Sequence, residues 1–316
     1  MFSMIKLVRN EQMKIYSQLS STIMIVGLIL VVIIMGAVMF FMQDTESTTD
    51  WRTTLENQNI QLNHQLDNEP ILDVVAKQYR QDMAINEYRL EHDIAPPVSE
   101  NMFSFVKTSA TLTVLVSLFT IVISAGIVAG EFTWGTIKLL LIRPITRSGI
   151  LLSKYIAVLL YGLTLLVILF LTSMVVGAVF FGLQDISVPY LTYINGDIYE
   201  KSMFGHLIST YLLNCIDLLM MVTFAFMIST VFRSSSLAIG LALFLMFTGQ
   251  QFVQLLSKYE WVKYILFANT NLTQYIEGTP IVEGMTLNFS IVILSLYFLI
   301  FNLLSWYVFN KRDVAA

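Results

Sequence analysis

The chain has 316 residues, 56% of them hydrophobic and 13% charged, with a mean hydropathy of +0.71. Soluble domains carry roughly 25% charged residues, so a water-soluble globule is excluded and most of the chain has lipid as its solvent. A formal net charge of −4 excludes the basic footprint of a nucleic-acid binder, and a lone cysteine, Cys215, excludes an intramolecular disulfide.

The first segment, 1–21, spaces Phe2, Ile5, Val8, Ile15 and Leu19 as the apolar face of an interfacial helix. Six continuously apolar runs follow, each near the roughly 20 residues that a helix needs to span the hydrocarbon core. They are Thr22–Met42, Ser109–Ala129, Tyr155–Gly182, Leu207–Phe232, Leu237–Leu256 and Phe289–Phe309. The first is too long, and starts too late, for the apolar region of a cleavable signal peptide. All six prolines fall outside the runs, so each helix keeps its backbone hydrogen bonds, as lipid requires. Broken helices of the kind that form ion sites in many secondary transporters are not signalled. The expected fold is an all-α integral membrane bundle of six helices.

Charge sets the orientation. Segments 1–21, 130–154, 233–236 and 310–316 share one face and hold ten Lys and Arg residues against Glu11, Glu131 and Asp313. The positive-inside rule puts that face, and both termini, in the cytoplasm.

Three segments are then external. The largest, 43–108, carries twelve acids and five bases between Gln43 and Lys107. Leu55, Leu62 and Leu66, then Ile71, Val75, Tyr79 and Met83, recur at helical spacing, with Pro70 suited to the first turn of the second helix. This reads as an acidic helical hairpin, either a docking surface for a cationic substrate or a solvated cap. Segments 183–206 and 257–288 read as loops with interfacial aromatics such as Tyr190, Tyr193 and Tyr199. Within the latter, Trp261–Phe267 is an apolar patch too short to span, suited to a re-entrant or interfacial helix. His64, His92 and His206 lack the spacing of metal ligands, and no metal site is expected.

The most informative stretch follows the second span. Glu131 leads a short helix with apolar residues all round it (Trp134, Ile137, Leu139, Leu140 and Leu141), and Arg143-Pro144 stops it. A helix apolar on every side is buried on every side, which here calls for a second protein. Glu131 at its start and Arg143 at its end suit the helix dipole.

These residues resemble an ABC-2 type transporter permease, a family with a cytoplasmic coupling helix between its second and third spans. The matching features are Glu131, Gly135-Thr136, Leu139-Leu140-Leu141 and Pro144-Ile145-Thr146-Arg147. Glu11-Gln12-Met13-Lys14 is similar to the Glu-x-x-Lys that opens many bacterial members. The resemblance covers the whole layout and implies a type V-like exporter. Two permease chains, identical or different, would pair and each would dock a separate ABC ATPase that binds ATP and Mg. The chain itself has no phosphate loop, so no cofactor and no enzymatic activity of its own are expected. The resemblance also implies an amphipathic, peptide or lipid-like cargo, antimicrobial peptides among the candidates.

Glu131, Trp134, Thr136, Leu140, Leu141, Arg143 and Arg147 are the residues expected at the ATPase-coupling interface. The competing role for Arg143 and Arg147 is anchoring to anionic lipid headgroups. Asp217 is the carboxylate within a span, and Asn214 lies one turn earlier on the same face. They are candidates for the transport pathway, or equally for a hydrogen bond between helices. Gly126 and Gly130 form a small-xxx-small pair suited to helix packing within the bundle or across a dimer. The alternatives to an ATP-driven exporter are an ATP-independent secondary transporter or channel, and a non-transporting membrane sensor or scaffold.

Overall fold

The computed structural model describes residues 4–42, 50–68, 73–96, 101–133, 135–136, 145–183, 188–194, 196–232, 234–278, 280–282 and 284–311. Its helices are α1 (Met4–Tyr16), α2 (Leu19–Met42), α3 (Trp51–Asn68), α4 (Asp73–His92), α5 (Met102–Ser109), α6 (Thr113–Thr133), α7 (Arg147–Phe181), α8 (Met203–Phe232), α9 (Ser235–Leu255), α10 (Leu266–Thr270) and α11 (Leu287–Lys311). Among the described residues, six stretches are long and apolar enough to cross a membrane: α2, the continuous Met102–Thr133, α7, α8, α9 and α11. The protein is a multi-pass membrane protein, predominantly helical.

The second span begins at Met102, earlier than the apolar run suggests, because a 3₁₀ turn at Ala110–Leu112 joins α5 to α6 without a break. The third begins at Arg147, with Thr146 capping it by accepting from the Gly149 amide at 3.2 Å. Residues 147–154, expected in a cytoplasmic loop, are therefore the first two turns of a span. Leu19 starts α2 and does not close the interfacial helix. Ile15 of α1 is buried while Ile5 is 78% exposed, and Phe2 and Pro70 lie outside the described residues.

The second and fourth spans form the centre. Their most apolar windows are 56% and 61% buried, against 17%, 22% and 17% for the first, fifth and sixth, which leaves those three facing outward. Small polar residues knit α6 to α8. The Ser124 hydroxyl donates to the Val222 carbonyl at 3.0 Å, while Ser229 donates to the Ala125 carbonyl and accepts from the Ala129 amide. In lipid, where no hydrophobic force draws helices together, such contacts and close packing do that work. Tyr155 of α7 joins the same centre through Thr223 at 2.7 Å. Gly126 makes no close approach among the described residues, since none of them lies within 4 Å of where its Cβ would be.

Two faces result. The terminal face carries α1, the end of α6, the start of α7 and the end of α11, where Trp306 and Asn310 both bond Ser148. The hairpin face carries α3 and α4, joined by Asn86 donating to Asn59 at 2.8 Å. Between the third and fourth spans, where an aromatic loop was expected, β1 (Tyr190–Ile194) pairs antiparallel with β2 (Asp197–Lys201). His206, expected in that loop, is instead buried in the first turn of α8. The Trp261–Phe267 patch is not one helix. A 3₁₀ turn at Glu260–Tyr264, the short α10 and a second 3₁₀ turn at Leu272–Tyr275 fold back under the hairpin face. Leu266, Phe267 and Ala268 are buried there.

Candidate functional site

Two polar sites stand out, one on each face. On the terminal face, α6 runs to Thr133 and then turns at Gly135, whose φ of +70° and amide bond to the Phe132 carbonyl close the helix. Glu131 thus occupies the last turn of α6, not the first turn of a following helix. A carboxylate there opposes the helix dipole and is 5% exposed, so it needs cations. Lys154 of α7, 1% exposed, places Nζ 3.0 Å from Glu131 Oε1 and 3.0 Å from Glu11 Oε2 of α1. Lys14 of α1 donates to the same Glu131 oxygen, and the Thr136 hydroxyl to the other. Gln12 adds a 2.7 Å bond to the Ala157 carbonyl.

Two lysines and two glutamates therefore cancel in a cluster that ties α1, α6 and α7 together, with Lys154 and Glu131 buried and Lys14 at its exposed edge. The cluster sits at both ends of the segment between Thr133 and Arg147. It can hold those three elements in one register, and charge-assisted bonds of this kind are strong and directional.

Of the expected interface residues, Glu131 and Thr136 meet in this cluster, with Glu131 turned into the protein. Arg147 is at the start of α7 and donates to the Asn310 carbonyl of α11 at 3.2 Å. Trp134, Leu140, Leu141 and Arg143 lie outside the described residues. Lys154 was not singled out in the sequence, where it reads as one more cation of the positive face. Its signal was position, two turns inside a long apolar helix with Glu131 nearby in the chain.

On the hairpin face a cavity of about 710 Å³ opens among α5, α6, α8, α9, β1 and the 271–277 segment. Asn214 and Asp217 both line it, and Asn214 donates to the Thr113 hydroxyl at 3.3 Å. Lys107, His206, Gln250 and Glu277 also belong to its polar wall. Lys107 donates to the Tyr190 hydroxyl at 3.2 Å and lies 4.6 Å from that ring's centre, while the ring stacks on His206 at 3.8 Å. Among the described residues, both ring nitrogens of His206 and Oδ1 of Asp217 are buried without a hydrogen-bond partner. No group of three or more His, Cys, Asp or Glu side chains among them is placed to hold a metal ion.

The acidic hairpin packs against elements that border this cavity, β2 and the end of the 271–278 segment. Gln81 of α4, buried, donates to the Gly278 carbonyl at 3.0 Å, and Tyr88 donates to Glu200 of β2 at 3.2 Å. Burial raises the pKa of Glu277 above the usual glutamate range, with Lys107 pulling the other way. The folded state therefore holds the Glu277 proton more tightly than the unfolded chain. Its contribution to stability is largest at acid pH and declines as pH rises through the ordinary glutamate range towards the folded pKa. Glu277→Gln is expected to remove that decline, seen as a flatter slope of unfolding temperature against pH than in the parent protein.

A family model described as "Protein of unknown function (DUF2705)" matches residues 72–315. Two proteins of Bacillus subtilis (strain 168) are similar. "Uncharacterized protein YhcI" is 44% identical over 315 residues, 99% of this chain and 100% of that one. "Uncharacterized membrane protein YdbK" is 33% identical over 224 residues, 70% of this chain and 87% of that one. The chain belongs to the DUF2705 family.

Proposed function

We propose that this DUF2705 member is the membrane-spanning subunit of an ATP-driven exporter of the ABC-2 type, working with a separate ATPase on its terminal face. That face is the cytoplasmic one, since it carries the Lys and Arg excess, and the acidic hairpin is external. Two permease chains pair through spans that the single chain leaves largely uncovered, with membrane lipid around them. The cargo is amphipathic, a peptide or a lipid-like molecule.

The observation that carries this reading is the Glu11–Lys14–Glu131–Lys154 cluster, built on the buried Glu131–Lys154 pair. A force applied to the segment between Thr133 and Arg147 reaches α1, α6 and α7 at once, because Glu131 and Lys154 flank that segment and both bond to α1. A coupling element needs just such a shared footing. Glu131 then acts as a positioning residue for the docking segment and does not itself touch the ATPase, while Arg147 fixes the segment's other end to α11.

Affinity purification of the full chain from its native membrane, followed by an ATPase assay, tests the reading. An ATPase is expected to co-purify. Glu131→Gln in the chain is expected to lower its activity at least about tenfold while both proteins stay assembled, one lost charge-assisted bond being enough for that factor. Absence of any ATPase, even when the genes flanking this one are co-expressed, would count against the proposal.

A further inference from the structure

The cavity on the hairpin face has a composition that selects a ligand. Its acids are Asp217 and Glu277, and its cation, Lys107, is already engaged by the hydroxyl and ring face of Tyr190. Tyr190 is neutral, so Lys107 still offsets one of the two acids, and the wall keeps an excess of one acid that a cationic ligand would meet. His206 adds a second sign that something is missing: it is 3% exposed, forms part of the wall, and neither ring nitrogen has a partner among the described residues. A buried polar group without a partner is costly, and a native protein that keeps one usually supplies the partner from elsewhere.

Size and donor set narrow the class. A volume of about 710 Å³ is far beyond an inorganic cation and falls in the range of organic ligands. The described acids and histidines are not grouped for a metal. The remaining wall includes the amides Asn214 and Gln250, which suit carbonyl and N–H groups, with Ala110, Val114 and Met203 as its apolar members. On the same face stand α3 and α4, part of the segment with twelve acids and five bases, which concentrates cations at that face.

We infer that this cavity binds a cationic peptide, with Asp217 and Glu277 receiving an ammonium group and Asn214, Gln250 and His206 meeting the peptide's polar backbone. The inference rests on the exporter reading only in making this peptide the cargo, since binding is a property of the chain alone.

The full chain, reconstituted in phosphatidylcholine nanodiscs, is titrated with fluorescein-labelled pentalysine at 0.3 M salt, where long-range attraction to exposed acids is screened. Saturable binding is expected, and none for labelled pentaglutamate. Asp217→Asn and Glu277→Gln are each expected to weaken binding about tenfold or more, as loss of one charge-assisted contact would. Glu277 lies outside the spans, so its variant keeps the test decisive where Asp217→Asn fails to fold. His206→Phe, which keeps the stack on Tyr190 and removes both nitrogens, is expected to weaken binding by a smaller factor.

No binding to the parent protein overturns the inference. So does unchanged affinity in Glu277→Gln together with any folded Asp217→Asn, which would put the peptide on the exposed acids of α3 and α4. Displacement of pentalysine by phosphatidylethanolamine doped into the nanodiscs overturns the peptide assignment in favour of a lipid amine. Because no ATPase is present, failure of the exporter reading leaves each of these results unchanged, and failure here leaves ATPase coupling unchanged.

Discussion

Glu131→Ala is expected to destabilise the protein by about 3 kcal/mol, the lower end of the range found when one partner is removed from a buried ion pair, because Lys154 keeps Glu11. The substitution leaves Lys154, 1% exposed, with one carboxylate, Glu11, in place of two, while Lys14, 49% exposed, turns to solvent. Thermal unfolding in detergent, followed by tryptophan fluorescence, reads the loss. A double-mutant cycle identifies its origin. Glu131→Ala and Lys154→Ala together should cost less than the sum of the single variants by more than about 1 kcal/mol, because the bond between the two is lost in each single variant and can be lost only once. Simple additivity would mean that the two side chains do not stabilise each other, and the shared footing of the three helices would lose its basis.

Gly278→Ala carries the next largest expected effect, and a local one. Gly278 has φ +73°, a conformation that costs an L-residue roughly 1–2 kcal/mol. An added Cβ would also stand 2.1 Å from the Tyr193 carbonyl oxygen. Both atoms of that clash are fixed to main chain, so no rotamer change relieves it, and overpacking of this kind adds about 1–3 kcal/mol. The strain falls where β1, the 271–278 segment and Gln81 meet. Hydrogen exchange is therefore expected to speed up in β1, β2 and α4, while the centre formed by α6 and α8 stays protected. Uniform loss of protection throughout the chain, or none anywhere, would show that the hairpin face does not hang on this contact.

The six spans were legible in the sequence because lipid leaves a helix no choice but a continuous apolar run. Their ends were harder to read, for a specific reason. Lys107 and Glu131 look like boundary residues, yet both belong to the second span, since Tyr190 engages one and two lysines neutralise the other. Sequence distance hides such partners: Lys14 and Glu131 are 117 residues apart. The β-hairpin was missed although its signal was present. Asn195-Gly196 separates Tyr190–Ile194 from Asp197–Lys201, and Gly196 adopts φ +104°. Interfacial aromatics explained the tyrosines well enough that the alternation went unread. Asn214 and Asp217 could be placed on one helix face, but the cavity around them needed Glu277, Lys107 and His206, which come from other parts of the chain. Nothing in the local sequence marks His206 as buried; its stack on Tyr190 exists only once the hairpin folds back.

The uninterrupted length of α7 has a mechanical consequence. Its 35 residues make a rod about 52 Å long, well beyond the thickness of the hydrocarbon core. Proline is absent along it, and Gly177 lies against the Met102 backbone, where its Cβ would come within 3.0 Å of the Met102 carbonyl oxygen. Such a rod behaves as a lever: a tilt of about 5° about one end displaces the other by about 4.5 Å. Lys154 lies about 10 Å from the Arg147 end and Gly177 about 45 Å from it, so a tilt pivoting at that end would move Gly177 about four times as far as Lys154.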